Sequence, residues 1–398
     1  MAKKKLTKKQ REQVKKTAKK HPVLITIIII LVLAIATCCF LHWKGVIHIP
    51  FLDGIIPQQK ADEDVDAQGG AFTEEVISEI SSNDLSVHFL ELGNEYTGDC
   101  TLIKVGNTEV LIDAGSRANS STTIVSYVNQ FCTDGVLEYV IATHADQDHI
   151  AAMPGVMSKF TCQTIIDFPR TNKNTNTYQK YVQARDAEVQ AGAKHYTALE
   201  CFNGENGAQR SYTLGAGITM NFLYQEFYEE ATDDENDYSV CMLLTQTYEG
   251  GENNYLFTGD LEEHGEASLV KENDLPKCKL FKGGHHGSKT SSTDALLSVI
   301  QPDIVCVCCC AGSDEYKAKP ENTFPTQLFV NRVAKYTKNV YVTTLANDTE
   351  KGYESMNGNI VVYATGATVK VRCSNNATLL KDTEWFKNNR TCPTEWAS

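Results

Sequence analysis

The segment Thr143 to Ile150, THADQDHI, contains four side chains that could bind a metal ion. His144, Asp146, Asp148 and His149 lie within six positions, directly after an apolar run that is typical of a buried strand. Imidazole and carboxylate groups suit borderline and hard divalent ions. A solvated acidic turn would have a similar composition, so other parts of the chain must support the assignment.

Three further apolar runs end in residues of the same kinds. The run TEVLIDAG ends at Asp113, NYLFTGD ends at Asp260, and the run that closes with KLFKGG is followed by His285 and His286 in HHGS. Each run has the length and composition of a buried strand. Chance assembly of all four motifs in one chain is improbable, so we expect their side chains to meet at one edge of a sheet.

The order of the motifs, DAG, HxDxDH, TGD and HHGS, resembles the metallo-β-lactamase superfamily. It is most similar to the ComEC-like branch, the hydrolase domain of the bacterial DNA-uptake channel protein. The resemblance covers Leu85 to Gly366 and includes the opening LSVHFLELGNEYTGDCTLIKV, the segment LFKGGHHGSKTSS and the closing GNIVVYATG. It implies an α/β (α+β) class in the form of a four-layer αββα sandwich, with a metal site at one edge.

The resemblance also implies a set of ligands for one or two divalent ions, Zn²⁺ or Mn²⁺. His144 and Asp146 correspond to ligands of the first ion, and Asp148 and His149 to ligands of the second. Asp260 is similar to the carboxylate that bridges both ions. An aspartate at 146 replaces a histidine that is usual in the superfamily, and its hard oxygen favours Mn²⁺ or Mg²⁺ relative to Zn²⁺.

The remaining site residues carry less definite roles. His285 resembles the later histidine ligand, while His286 either ligates in its place or acts as a catalytic proton donor. Asp113 would orient the metal-binding loop from behind the ligands, and Asp148 would hold the nucleophilic water. A further histidine that many members supply has only one candidate here, His195, which we interpret as a surface residue.

The elements that must position these residues follow one another regularly along the chain. Alternating apolar runs separated by Gly- and Asn-containing turns predict strands, and several longer segments have the composition of helices. Strands and helices interspersed over most of the chain indicate one mixed domain with sheets packed between helices.

The chain begins with a segment of different character. Residues 1–22 form a basic cytoplasmic tail, since ten of the 37 Lys and Arg fall in the first twenty positions. Residues 23–41 carry no charge and as a helix would be about 28 Å long, enough for a bilayer core of about 30 Å. We interpret them as an uncleaved transmembrane anchor in the lipid bilayer. Residues 42–84 then form a linker, 85–366 the hydrolase-like domain, and 367–398 a C-terminal strand and tail.

The distribution of charge along the chain predicts its topology in the membrane and limits the choice of substrate. The lysines before the apolar run place the N-terminus in the cytoplasm, so the hydrolase domain would lie outside a single-pass cell-membrane protein. Positions 21–398 carry 27 basic and 49 acidic residues, a net charge of −22. Broad electrostatic binding of DNA relies on Lys and Arg, so this balance argues against it.

Three hypotheses of function remain. The first is a membrane-anchored, metal-dependent phosphodiesterase or nuclease that uses a metal-activated water. The second is a metallo-hydrolase of a cell-envelope phosphodiester, ester or lactone. The third is a non-catalytic metal-binding surface module. Metal content together with activity on a generic phosphodiester would separate them, while the sequence leaves protein partners unknown.

Overall fold

The computed structural model describes residues 72–215, 217–313, 315 and 320–397. The predicted basic tail at 1–22, the transmembrane anchor at 23–41 and the linker as far as residue 71 lie outside this part of the chain. Within the described residues, no helix is both long enough and apolar enough to cross a membrane.

Two mixed sheets of eight strands each form the centre of the fold. The first sheet has the order β16-β15-β1-β2-β3-β4-β5-β6 and the second the order β14-β13-β12-β11-β10-β9-β8-β7. The strands of the first sheet are β1 (Leu85–Phe89), β2 (Thr101–Val105), β3 (Thr108–Ile112), β4 (Val136–Ile141), β5 (Thr161–Asp167), β6 (Lys194–Thr197), β15 (Ile360–Thr365) and β16 (Thr368–Cys373). Those of the second sheet are β7 (Ser211–Gly215), β8 (Ile218–Phe222), β9 (Met242–Tyr248), β10 (Gly251–Phe257), β11 (Leu280–Lys282), β12 (Ile304–Ala311), β13 (Val340–Ala346) and β14 (Tyr353–Ser355).

Each sheet is parallel over half of its width. Strands β3 to β6 run parallel in the first sheet, and β10 to β13 run parallel in the second. Parallel neighbours need crossover connections, which place helices on the sheet faces. The described helices are α1 (Glu74–Ser81), α2 (Ser120–Val128), α3 (Gln147–Ile150), α4 (Met153–Met157), α5 (Asn176–Ala191), α6 (Ala198–Asn203), α7 (Glu263–Glu272), α8 (Asp294–Ile300), α9 (Gln327–Val333) and α10 (Glu384–Asn389).

Along the strands of the second sheet, alternate side chains belong to two different hydrophobic cores. In β12, Cys306 and Cys308 belong to the core shared with the first sheet, whereas Val305 and Val307 pack with helices α7, α8 and α9. Successive side chains of a strand point to opposite faces, so one face meets the other sheet and one is covered by helices. On the first sheet, Tyr127 of α2 bonds to His88 of β1. The result is the expected mixed α/β fold of two sheets with flanking helices.

The compact unit extends beyond the predicted 85–366 at both ends. Glu79 of α1 accepts a hydrogen bond of 2.8 Å from Tyr363 of β15. At the other end, Leu380, Phe386 and Trp396 are buried in the core of the second sheet. Burial of these apolar side chains explains why the C-terminal segment folds onto the domain instead of forming a separate tail.

Candidate metal centre

Loops that follow four strands bring the predicted site residues together. Strands β3 and β4 are parallel neighbours in the first sheet, and β10 and β11 are parallel neighbours in the second. The carboxyl ends of parallel strands lie at one edge of a sheet, which is where α/β folds form their binding sites. The loops after these four strands carry Asp113, the HADQDH segment, Asp260 and the HHGS segment.

Two histidines and two aspartates form an inner cluster, defined here as Asp148, His149, Asp260 and His286, in which every member except Asp148 is buried. The Nε2 atoms of His149 and His286 are 3.3 Å apart, and each is 3.1 Å from Oδ2 of Asp260. Oδ2 of Asp148 is 3.3 Å from Nε2 of His286. Ligands about 2.1 Å from a tetrahedral zinc ion lie about 3.4 Å from one another, so this spacing fits a divalent ion.

The histidine rings are oriented as metal ligands are. Nδ1 of His149 donates to Oδ2 of Asp113 at 2.8 Å, and Nδ1 of His286 donates to the backbone oxygen of Cys308 at 2.8 Å. In metal sites a ligating histidine holds its second nitrogen in just such a bond, which leaves the other nitrogen for the ion. Nε2 of His144 is buried and has no hydrogen-bond partner among the described residues. A buried unpartnered lone pair of this kind fits a cation or its water.

Electrostatics point the same way. Burial alone would lower the pKa of His149, but the carboxylates of Asp260 and Asp113 outweigh it and raise that pKa well above its ordinary value. The pKa of His286 is also raised well above its ordinary value, because the carboxylates of Asp260 and Asp99 outweigh the effect of burial. Without an ion, the excess negative charge at the site is therefore offset by protons on the imidazoles. A divalent ion would supply the same compensation.

Close backbone contacts fix the metal-binding loop. A side chain at Gly115 would place its Cβ 1.6 Å from the backbone oxygen of Asp148, which explains the glycine of the DAG motif. Asp113, His285 and His286 have left-handed φ values of 59°, 44° and 54°. Such conformations cost energy in non-glycine residues and cluster at functional sites.

Two predicted ligands lie at the edge of the inner cluster. Oδ1 of Asp146 is 2.6 Å from Nζ of Lys173, and Oδ2 is 3.9 Å from Nε2 of His144. Nδ1 of His285 is 3.0 Å from Oε1 of Glu262, while its Nε2 is 4.0 Å from Asp260. The sequence left open which of the two adjacent histidines ligates, and the geometry favours His286.

The structure adds residues that the motifs did not reveal. Asp99 is 1% exposed, and its Oδ1 lies 3.3 Å from Nδ1 of His286. Its carboxylate also contacts the ammonium of Lys282, which is 3.6 Å from Asp260. The only sequence signal for Asp99 is its place two residues before β2. His195 does not reach the cluster, because its Nε2 is bonded to Asp167 at 2.9 Å.

The part of the chain that carries the HADQDH segment matches a known protein family. The profile of the metallo-beta-lactamase superfamily matches residues 93–188. Recombination protein 2 of Haemophilus influenzae is 26% identical over 241 residues, 59% of this chain and 26% of that protein. Competence protein ComA of Neisseria gonorrhoeae is 26% identical over 257 residues, 64% of this chain and 30% of that protein.

The chain thus spans less than a third of the length of these two relatives. The matches confirm the resemblance to the superfamily and to its ComEC-like branch that the motifs indicated. Among solved structures, the metallo-beta-lactamase fold protein YhfI from Bacillus subtilis aligns with 67% of this chain and 98% of its own, at 12% identity and a TM-score of 0.37.

Proposed function

We propose that this chain, a metallo-β-lactamase-fold hydrolase related to the competence proteins, hydrolyses phosphodiester bonds with a divalent ion held by Asp148, His149, Asp260 and His286. The observation that carries the proposal is the convergence of two imidazole nitrogens and two carboxylates in the inner cluster, through contacts of 3.3 Å or less. His144 would face the ion or its water through its unpartnered Nε2.

A bound divalent ion would lower the pKa of water towards 7 and polarise a phosphoryl oxygen. The residues of the chain would position the attacking water. Asp148 is the more exposed member of the cluster, at 27% of its side chain. Burial would raise the pKa of Asp148, but the hydrogen bond from His286 and the charge of His149 lower it overall. Asp148 is therefore ionised at neutral pH and can accept a hydrogen bond from the attacking water.

Nucleic acid is the first candidate substrate. Two relatives are named a recombination protein and a competence protein, and the motifs resemble the hydrolase domain of a DNA-uptake channel protein. The net charge of −22 over positions 21–398 supports a second candidate, a phosphodiester, ester or lactone of the cell envelope, since an acidic surface repels polyanions.

Hydrolysis assays on the full-length chain test the reaction. With Mn²⁺ or Zn²⁺, we expect cleavage of bis-(p-nitrophenyl) phosphate and of single- or double-stranded DNA. Asp148→Asn should lower kcat by about 10²–10⁴-fold if the carboxylate assists proton transfer. Asp274→Asn, an exposed site outside the cluster, is the matched control. A chain that demonstrably binds metal but cleaves none of these phosphodiesters contradicts the proposal, and cleavage of esters or lactones alone supports the second candidate.

The membrane anchor at residues 23–41 belongs to the same proposal. An uncharged run of nineteen residues between a basic tail and an acidic domain supports a single-pass protein with its hydrolase domain outside the cytoplasm. Protease added to intact cells should digest the domain, and alkaline washing should leave the chain in the membrane fraction. Release of the chain by alkaline washing would contradict the anchor.

A further inference from the structure

Lys173 lies beside the outer pair of predicted ligands, defined here as His144 and Asp146. Its Nζ is 2.6 Å from Oδ1 of Asp146, and its side chain is 33% exposed. Asp148 and Glu235 are also near enough to interact with its charge. This ammonium is therefore a fixed positive charge at the mouth of the metal centre.

The position of Lys173 is built by the same contacts that hold the metal-binding loop. Glu235, which is 5% exposed, accepts hydrogen bonds from Thr171 Oγ1 at 2.6 Å and from the backbone nitrogens of Asn172 at 2.7 Å and Ala145 at 3.3 Å. The backbone nitrogen of Lys173 donates to Thr171 Oγ1 at 2.9 Å. One buried carboxylate thus ties the lysine loop to the residue between His144 and Asp146.

The outer pair has the minimum of ligands for a second ion. Together with Asp260, which the resemblance assigns to both ions, it offers one imidazole and two carboxylates, and zinc sites use three or four protein ligands, so a second ion there requires Asp146 to be free. His195, the sequence candidate for a further ligand, is bonded to Asp167, which also accepts from Arg185 at 2.9 Å and Tyr181 at 3.0 Å. This network keeps His195 away from the outer pair.

We propose that the Lys173 ammonium stands in place of a second divalent ion. The centre then binds one ion, at the inner cluster, and Lys173 neutralises Asp146 and binds a non-bridging phosphoryl oxygen of the substrate. A lysine ammonium has three N–H donors, so one can remain on Asp146 while another reaches the substrate. A preorganised cation at this place stabilises the negative charge that develops on the phosphoryl group. The assignment rests on the proposed phosphodiesterase function only for its substrate contact.

Metal stoichiometry tests the assignment without substrate. The full-length chain is stripped with chelator, loaded with Mn²⁺ or Zn²⁺ and analysed by native mass spectrometry and elemental analysis. We expect one ion per wild-type chain and two per Lys173→Gln chain, since Asp146 then lacks its cation. Lys173→Arg keeps the charge and should bind one ion. Lys180→Gln, an exposed lysine on α5, is the matched control and should also bind one.

Two outcomes overturn the assignment: two ions per wild-type chain, or a single ion per Lys173→Gln chain that is folded by circular dichroism. In Lys173→Gln loaded with one ion, we expect the KM for bis-(p-nitrophenyl) phosphate to rise about tenfold, and in Lys173→Arg to rise much less. This result supports the substrate contact, and an unchanged KM overturns it. Failure of the proposed function is distinguishable, because a chain that shows the expected ion counts but cleaves no phosphodiester contradicts the phosphodiesterase alone.

Discussion

Asp113 determines which nitrogen of His149 is free for an ion. Its Oδ2 accepts from His149 Nδ1 at 2.8 Å and from Thr143 Oγ1 at 2.7 Å, and its Oδ1 accepts from the backbone nitrogen of Thr143 at 2.8 Å. Both oxygens therefore face donors. An amide in this place must turn its NH₂ group towards one of them, which disturbs the orientation of the imidazole.

Asp113→Asn should accordingly weaken metal binding by about 10–100-fold, the usual effect of removing a hydrogen-bond partner of a ligand. Competition with a chromophoric chelator measures the change. Asp274→Asn, which removes an exposed carboxylate, should bind metal as the wild type does. Equal affinity for Asp113→Asn and wild type would show that Asp113 does not orient His149.

Metal affinity should rise with pH. The carboxylates around His149 and His286 outweigh burial and raise both pKa values, so in the metal-free chain the two imidazoles hold extra protons more tightly than free imidazoles do. An ion must displace these protons, so its affinity falls as the pH falls, by about tenfold per pH unit for each proton released. Calorimetry in two buffers of different ionisation enthalpy counts the protons, and we expect one to two per ion near pH 7. Binding without proton release would contradict the raised pKa values.

Among individual residues, those that belong to motifs could be recognised from the sequence. His149, Asp260 and the two adjacent histidines were recognisable because each follows an apolar run at a characteristic spacing. Asp99 and Lys173 were not, since each stands alone in an irregular loop. Only the folded chain brings them to the site, through contacts with residues far away in the sequence.

The metal-binding loop depends on the loop after β3. The backbone nitrogen of Ala114 donates to the oxygen of His149 at 2.7 Å, and that of Asp99 donates to the oxygen of Asp148 at 2.9 Å. Gly115 lies against the same oxygen of Asp148, with no room for a Cβ. Three segments of the first sheet are therefore in contact through their backbones at the site.

Gly115→Ala should lower the free energy of unfolding by about 3 kcal/mol, because an overpacked backbone contact must open. It should also reduce metal binding, since the displaced loop carries Asp148 and His149. Urea unfolding and the chelator competition measure the two effects. Gly106→Ala has open space around its Cβ but a left-handed φ of 59°, so it controls for the conformational cost alone, about 1 kcal/mol. A Gly115→Ala chain as stable as Gly106→Ala would contradict the contact.

The predicted elements agree with the structure where burial is periodic. The C-terminal strand predicted within 367–398 is the edge strand β16, in which exposed and half-buried side chains alternate. Strands β5, β6, β7 and β14 were not predicted, although β6 carries His195. Its four residues are at most half-buried at a sheet edge, so too little alternation is present to mark a strand.

At the scale of the whole molecule, the site depends on the packing of one sheet against the other. The first sheet supplies Asp113, Asp148 and His149, and the second supplies Asp260 and His286. Any interaction that couples the two sheets away from the ligands therefore bears on the geometry of the centre. Glu91, which follows β1, is such a residue, because its Oε2 accepts a hydrogen bond of 2.6 Å from Ser355 in β14.

Glu91 should make stability fall as the pH rises. Its side chain is 1% exposed, and its Oε1 has no hydrogen-bond partner within the part of the chain that the structure describes. Burial raises its pKa to about 7, against the partial opposition of Ser355 and Thr344. The unfolded chain loses this proton near pH 4.3, so the native state holds it more tightly. The stabilisation is complete below about pH 4 and is lost as the pH rises through 7.

Glu91→Gln removes this titration while keeping the shape of the side chain. Relative to wild type, its free energy of unfolding should increase by about 2–3 kcal/mol between pH 5 and pH 8, as follows from a pKa difference of this size. Urea unfolding of both chains at the two pH values measures it. Glu95→Gln, a less buried carboxyl on the following loop, should follow the wild type. The prediction is contradicted if the difference in stability between Glu91→Gln and wild type is the same at both pH values. Glu91 would then be ionised in the fold, and a charge would couple the two sheets at this point.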